Sequence, residues 1–193
     1  VLLVMGLSCV LSLVLDGTQS LRPRAWAVGP SLIVANERWD HRFFLRGAED
    51  PISALVVDGS DLYAGGSFVT IGGIDTGGVA RLRNGVWEDV GGGFGYSSSF
   101  YVWDLLLADG VLYVAGDFWG VNGLEATNIA MWNGSEWSPL GSGIDGGVSS
   151  LAVFQGEIYA GGHFQTAGGL AAANIAKWNG TSWAPVGGGT DDR

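Results

Sequence analysis

The sequence predicts an all-β fold of short antiparallel strands, and three features indicate it. Glycine is abundant, at 34 of 193 residues, and 11% of the residues are aromatic, a composition typical of short strands joined by tight turns. Apolar runs alternate with Asp-Gly and Asn-Gly pairs, which favour two-residue hairpins. One unit is also repeated three times along the chain. Because 47% of the residues are hydrophobic, an intrinsically disordered chain is excluded.

The repeat is clearest in two stretches of nearly the same sequence. Residues 128–137 read NIAMWNGSEW, and residues 174–183 read NIAKWNGTSW. Aligning the chain with itself on this match predicts three copies, at 52–101, 102–147 and 148–193. Three aromatic positions keep the same spacing in all copies, and these are Tyr63, Tyr113 and Tyr159; Phe68, Phe118 and Phe164; and Trp87, Trp137 and Trp183.

Each copy predicts four strands. An apolar run is followed by a hairpin turn, then by a strand of the Leu-Tyr-Ala-Gly-Gly type, such as 62–66. We predict a polar, glycine-rich loop after this second strand. The third strand runs into Asn-Gly, and the fourth carries the closing tryptophan and ends in glycines. Four antiparallel strands in a repeat of roughly 40–50 residues predict the blade of a β-propeller. The tryptophans on either side of the Asn-Gly turn should pack between adjacent blades, each stabilising the fold by roughly 2–3 kcal/mol.

Three blades are fewer than the 4–8 that close a propeller ring. We therefore expect the chain to be an incomplete ring, completed by the remaining blades of the same longer chain or by a second chain. The segment 21–51 adds at most a degenerate half-blade, in which Trp39-Asp40 and Phe43-Phe44 are similar to a third and a fourth strand.

Residues 1–20 predict a signal peptide with a truncated start. The first fifteen residues are almost wholly apolar, which matches a secretory h-region and is shorter than the ~20 residues of a membrane-spanning helix. We therefore expect export to the cell surface or medium and no stable membrane span; the alternative is a buried strand or helix. The only cysteine, Cys9, excludes an intramolecular disulfide and a cysteine-based zinc site.

The charge of the chain argues against nucleic acid as a partner. Nine Lys and Arg residues stand against nineteen Asp and Glu residues, for a formal net charge of −10. A nucleic-acid-binding protein neutralises phosphates with basic side chains, whereas this chain would repel them.

The stretch IYAGGHF…NIAKWNGTSWAPVG resembles a kelch-type motif. It is most similar to the kelch-like repeats of secreted and cell-surface bacterial proteins, with their recurring YAGGxF and WNGxxW, in the galactose-oxidase-like propeller superfamily. This resemblance covers residues 52–193 and implies a propeller with a binding or scaffolding role. We expect that role to be non-catalytic, because the residues show no catalytic constellation. Since enzymes share the architecture, the alternative is the propeller portion of a larger extracellular glycan-processing or oxidase-type enzyme.

A candidate site for a protein or carbohydrate ligand centres on the second copy. Its first strand carries a tryptophan and a carboxylate where the other copies have only serine or alanine, and first strands are expected to line the central channel. The four-residue insert of the first copy adds two tyrosines, and a further tryptophan follows Phe118. Exposed aromatic rings beside an acidic group are typical of carbohydrate- and peptide-binding surfaces, and the alternative is ordinary packing between blades. The candidate residues are Trp103, Asp104, Tyr96, Tyr101 and Trp119.

No catalytic, cofactor or metal site is predicted. Ser67, Asp117 and His163 occupy one position in the three copies, so they should lie around a ring, far beyond the ~3 Å contact that a catalytic triad needs. Calcium bound by Asp58 and Asp61, or by Asp145, competes with the ordinary role of aspartate in turns.

Two glycosylation sequons coincide with a predicted turn. Asn133-Gly134-Ser135 and Asn179-Gly180-Thr181 match the sequon, but asparagine and glycine at these positions are also what the hairpin turn requires. Both interpretations stay open at this point.

Overall fold

The computed structural model describes residues 47–94 and 99–188 in full, together with the backbone of three strands nearer the N-terminus. The chain divides into two compact units, Val1–Leu45 and Arg46–Arg193. In the first unit, β1 (Leu3–Val4), β2 (Val10–Leu15) and β3 (Leu21–Arg24) form an antiparallel sheet in that order. The segment with the predicted half-blade, up to residue 46, lies otherwise outside the described residues, and the signal peptide stays a prediction.

The second unit consists of β-strands, and its described residues contain no helix. Three four-stranded antiparallel sheets follow one another along the chain, which confirms the predicted all-β class with three blades of four antiparallel strands. The first sheet has β4 (Ile52–Asp58), β5 (Asp61–Gly66), β8 (Val79–Arg83) and β9 (Val86–Asp89). The second has β10 (Tyr101–Ala108), β11 (Val111–Asp117), β14 (Ile129–Trp132) and β15 (Trp137–Pro139). The third has β16 (Gly147–Phe154), β17 (Glu157–His163), β20 (Ile175–Trp178) and β21 (Trp183–Pro185).

The segment between the second and third strands of each blade is a small hairpin, where the sequence predicted only a loop. Each hairpin pairs two strands of two residues. The turn of the first uses Gly72 and Gly73, both at positive φ, a conformation that glycine adopts without strain. The hairpin strands are β6 (Thr70–Ile71) with β7 (Ile74–Asp75), β12 (Gly120–Val121) with β13 (Leu124–Glu125), and β18 (Thr166–Ala167) with β19 (Leu170–Ala171).

The first strand of every blade contains a β-bulge at the same place. The pairing with the second strand skips one residue, which is Ser53, Trp103 or Ser149. All three skipped residues are exposed. A bulge redirects one side chain away from the regular alternation of a strand, so this position is presented at the surface in each blade.

Adjacent blades pack face to face and enclose one core between each pair. Strand β10 contacts β4 and β5, and β16 contacts β10 and β11. Buried side chains such as Tyr63, Leu105 and Phe118 fill the first core, and Ile129 and Phe164 help to fill the second. Because each sheet has an apolar face on both sides, its neighbours complete its burial.

A tryptophan hydrogen bond joins each pair of adjacent blades. The indole Nε1 of Trp137 donates to the carbonyl oxygen of Val90 in the preceding blade at 2.8 Å. Trp183 Nε1 donates in the same way to Leu140 O at 2.8 Å. Both tryptophans are buried, and buried polar groups are costly unless they are paired. The predicted placement of these closing tryptophans between blades is therefore confirmed.

A glycine of the preceding blade lies against a pair of tryptophans in the next. Trp178 and Trp183 face each other across their strands, with ring centroids 5.4 Å apart. A Cβ atom added at Gly141 would approach Trp178 to 3.2 Å. Gly141 also has a φ of 60°, so both the ring and the backbone favour glycine there.

The insert of the first copy contributes to the core rather than forming only a surface loop. Phe94 and Phe100 are buried, and the Phe94 ring packs against Phe118 at a centroid distance of 4.3 Å. Phe100 lies over Gly78, where an added Cβ atom would meet its ring at 2.4 Å. Two phenylalanines thus anchor this insert between the first and second blades.

Replacing Trp137 with phenylalanine should destabilise the fold by about 1–3 kcal/mol, because the Val90 carbonyl would lose its buried partner. Denaturant titration of the full chain followed by circular dichroism measures the loss. Trp132→Phe is the matched control, since Trp132 packs against Trp137 with ring centroids 5.3 Å apart but is not the donor of this hydrogen bond. Equal losses in the two variants would contradict the assigned role of the Trp137 hydrogen bond.

Replacing Thr76 with alanine should stabilise the protein by about 1 kcal/mol. The Thr76 hydroxyl is buried without a hydrogen-bond partner, and such a group carries a desolvation cost of about 1–3 kcal/mol. The corresponding residues in the other blades are Ala126 and Ala172. The midpoint of thermal unfolding measures the change, and a lower midpoint for Thr76→Ala would refute this explanation.

Candidate functional site

A cleft of about 440 Å³ lies between the second and third blades. Its lining residues include one aromatic ring, two carboxylates and three hydroxyl groups, which combine apolar and polar contacts as ligand sites usually do. These residues are Trp119, Asp117, Asp145, Thr127, Ser142 and Thr166, and the lining is completed by Asn128, Ile144, Gly143, Gly146 and Gly169.

Trp119 is the most exposed large hydrophobic side chain among the described residues, with 81% of its surface accessible. The preceding residue, Phe118, is fully buried between the blades. The Trp119 carbonyl accepts a hydrogen bond from Ala126 N at 3.2 Å across the small hairpin. The backbone at Phe118 and Trp119 is therefore fixed, and the exposed indole ring lines the cleft.

Asp145 joins the cleft to the hairpin of the third blade. Its Oδ1 accepts hydrogen bonds from Gln165 N at 2.9 Å and from Thr166 N at 2.8 Å. Slight burial raises the pKa of Asp145, but the hydrogen bonds from Thr166 and Gln165 outweigh this and hold the pKa below its usual value. At neutral pH the group is a carboxylate anion.

Asn128 forms the buried wall of the cleft. Its Oδ1 accepts a hydrogen bond from Phe118 N at 2.9 Å, and its Nδ2 donates to Ile144 O of the connecting segment at 2.9 Å. Its φ is 63°. Asn128 was not predicted from the sequence. The three copies have Gly78, Asn128 and Asn174 at this position, and these residue types tolerate positive φ, which indicates a special backbone conformation here.

The predicted pair Trp103 and Asp104 lies in the contact between blades. Asp104 Oδ1 accepts from Leu105 N at 2.9 Å, and Oδ2 accepts from Leu151 N of the third blade at 2.7 Å. Trp103 lies against Gly147, where an added Cβ atom would come within 2.5 Å of its ring. The Asp104 carboxylate therefore links β10 to β16, the first strands of the second and third blades. This contact agrees with the alternative interpretation, packing between blades.

The other predicted residues do not all meet in one place. Trp119 is the member of the predicted set that lines the cleft. Tyr101 is exposed at the start of β10, opposite Asp117 in the strand pairing. Tyr96 lies outside the described residues. The described members of the predicted set are therefore divided between the cleft, which Trp119 lines, and the start of β10, which carries Tyr101, Trp103 and Asp104.

The residues Ser67, Asp117 and His163 belong to three different blades. Asp117 ends β11, His163 ends β17, and Ser67 follows β5. Asp117 lines the cleft and is the member of this set with a place in the candidate site.

Two of the three carboxylates considered for calcium, those of Asp61 and Asp145, have other partners. Asp61 Oδ2 accepts from Arg83 Nε at 2.8 Å and from Arg83 Nη2, and Asp145 accepts the two backbone amides described above. Over residues 47–94 and 99–188, no three His, Cys, Asp or Glu side chains converge on one point.

The two sequons form side-chain turns. Asn133 Oδ1 accepts from Ser135 N and Glu136 N, each at 2.9 Å, and Asn179 Oδ1 does the same with Thr181 N and Ser182 N, each at 2.9 Å. This bonding accounts for both asparagines as turn residues.

No protein-family model matches the chain, and no curated protein matches it. In the part of the chain that the structure describes, no helix has the length and apolar character needed to cross a membrane.

Replacing Asp145 with alanine should destabilise the protein at neutral pH but not in strong acid. Because the folded-state pKa of Asp145 is lowered, the carboxylate makes its full contribution to the free energy of unfolding above the unfolded-state pKa of about 3.9. This contribution disappears as the pH falls through the folded-state pKa. Urea unfolding of wild type and Asp145→Ala from pH 7 down to pH 2 measures this convergence. Glu125→Ala, which removes an exposed carboxylate of the second small hairpin, is the control; a difference for Asp145→Ala that stays constant with pH would contradict the interpretation.

Proposed function

We propose that this chain is a non-catalytic propeller module, secreted or exposed at the cell surface, that binds a carbohydrate at the cleft beside Trp119. The observation that carries this proposal is the indole ring of Trp119, which is 81% exposed and lines the cleft. A cleft that combines an apolar ring with a few polar groups is the usual form of a ligand-binding site.

The chemistry of the cleft supports a carbohydrate ligand. An indole ring offers an apolar platform for one face of a sugar ring, and the carboxylates and hydroxyls around it can hydrogen-bond the sugar hydroxyl groups. The volume of about 440 Å³ falls in the usual range of small-ligand pockets, about 300–1,000 Å³. A protein ligand is the second candidate, and Trp103 and Tyr101, exposed near the start of β10, would extend the contact surface for it.

The kelch-like resemblance and the apolar N-terminus support the same proposal from the sequence. The YAGGxF and WNGxxW patterns suggest relatives outside the cytoplasm, where binding modules of this architecture occur. The exposed outward faces of the first and third blades support ring closure by further blades, supplied by the same longer chain or by a second chain.

An enzymatic role is the alternative, and one observation favours it. Asp117 and Asp145 line the same cleft, and glycoside hydrolysis uses two carboxyl groups. However, the general acid of such a pair needs a raised pKa, whereas the pKa of Asp145 is lowered. Asp145 is therefore suited to holding the hairpin and poorly suited to donating a proton.

Replacing Trp119 with alanine should weaken carbohydrate binding at least tenfold, because the stacking platform is lost. The full chain is first screened on an array of neutral and acidic oligosaccharides, and the strongest ligand is then titrated by calorimetry. Val86→Ala, which shortens an exposed apolar side chain of the first blade, should bind like wild type. Unchanged binding by Trp119→Ala, or no bound oligosaccharide at all, would refute the carbohydrate proposal.

The same oligosaccharides and nitrophenyl glycosides test the alternative. We expect no hydrolysis by the wild-type chain. Hydrolysis that is abolished in Asp117→Asn would establish the enzymatic role instead.

A further inference from the structure

A second, smaller cleft lies beside the first, between the same two blades. Its volume of about 260 Å³ is below the usual range of small-ligand pockets, about 300–1,000 Å³, so it is too small to be a separate site. Ser142 lines both clefts. At the tip of the third small hairpin, Gly169 lines the first cleft, and its neighbours Gly168 and Leu170 line the second. The two clefts therefore adjoin at the connecting segment and at this hairpin tip.

The lining of the second cleft combines apolar side chains with hydroxyl groups. Leu170 is 51% exposed, and two tryptophans and three hydroxyl-bearing residues complete most of the lining. Among the described residues that line this cleft, none carries a charged side chain. An uncharged ligand with many hydroxyl groups fits such a surface, because the hydroxyls of the cleft can both donate and accept hydrogen bonds. The lining side chains beside Leu170 are those of Trp178, Trp183, Ser142, Thr181 and Ser182.

The small hairpins of the second and third blades meet the preceding blade through the same backbone contact. Asn122 N donates a hydrogen bond to Gly93 O at 2.8 Å between the first and second blades. Gly168 N donates to Gly143 O at 2.9 Å between the second and third. A difference in open space between these two contacts is therefore caused by side chains.

One side chain accounts for the difference. The side chain of Asn122 lies against Gly92, where an added Cβ atom would come within 2.9 Å of Asn122 Oδ1. In the third blade the residue equivalent to Asn122 is Gly168, and the counterpart of Gly92 is Ser142. The space that an amide side chain occupies in one interblade contact is thus part of the second cleft in the other, and the Ser142 hydroxyl borders it.

We propose that the two clefts form one groove that binds a linear oligosaccharide, with one end stacked on Trp119 and the other end beside Leu170. This inference rests on the proposed carbohydrate function and adds that the ligand is a chain rather than a single sugar. The Ser142 hydroxyl, which both clefts share, lies along the path between the two ends. The second and third blades alone form the groove, so it does not depend on what covers the outward faces of the first and third blades.

Calorimetric titration of the full chain with sugars of increasing length tests the groove. The probes are the cellulose-, chitin-, starch- and pectin-derived series, each from monomer to hexamer. The hexamer that binds most tightly should bind at least tenfold more tightly than its own dimer, because only the longer chain reaches the second cleft. A monomer or dimer that binds as tightly as its hexamer would overturn the groove and leave the carbohydrate proposal intact. Binding by none of these sugars would overturn the groove as well, and the oligosaccharide array then decides the proposed function separately.

Variants of the third small hairpin locate the second cleft. Gly168→Asn introduces the residue of the second blade, and the φ of 61° at Gly168 is close to the 47° of Asn122, a conformation that asparagine tolerates. In Gly168→Asn, which fills the cleft, and in Leu170→Ala, the advantage of the hexamer over the dimer should fall at least fivefold. Leu124→Ala, which shortens the equivalent exposed leucine of the second blade, is the matched control and should keep the full advantage. Trp119→Ala should weaken the binding of both lengths, because both occupy the first cleft. Far-ultraviolet circular dichroism that matches wild type establishes that each variant is folded, and an unchanged advantage in either hairpin variant would overturn the proposal.

Discussion

The hydrogen bond from a closing tryptophan to the carbonyl of the preceding blade is the constraint on which the rest of the structure depends. The accepting residues, Val90 and Leu140, precede glycines with positive φ. At this bend the chain leaves the sheet, so a strand partner cannot satisfy the carbonyl, and a buried carbonyl without a partner would be costly. Leu140 O accepts a second hydrogen bond within the turn, from Gly143 N at 3.1 Å. The indole both binds the carbonyl and covers the glycine, which explains why tryptophan and glycine repeat together.

The same connection sets the position of the candidate site. After β15, the connecting segment runs beside the small hairpin of the third blade before it enters β16. There the carbonyl oxygen of Gly143 accepts a hydrogen bond from Gly168 N at 2.9 Å. Asn128 holds this connecting segment from one side and Asp145 binds the hairpin from the other. The walls of the cleft are thus parts of the interblade contact, whereas the exposed Trp119 is the variable element, replaced by Val69 and Gln165 in the other copies.

The sequence predicted the large strands and the tryptophan contacts well, because each strand pattern occurs in three copies whose shared positions can be compared. It did not predict the small hairpins, since strands of two residues are too short to show an alternating pattern. Packing between blades was one of the two interpretations of Asp104, but its hydrogen-bond partner was not predicted, because Leu151 N lies 47 residues away. Among the proposed ligand-binding residues that the structure describes, Trp119 alone lines the cleft. Phe118 beside it is buried while Trp119 is exposed, a difference between two neighbouring aromatic residues that the local sequence does not specify.

The bulge in each first strand has an evolutionary consequence. Because Ser53, Trp103 and Ser149 are skipped by the strand pairing, this residue can be exchanged without disturbing the sheet's hydrogen bonds. Duplication of the unit would therefore provide the same exposed surface position in every blade. Selection could then diversify it blade by blade, as the single tryptophan among serines already illustrates.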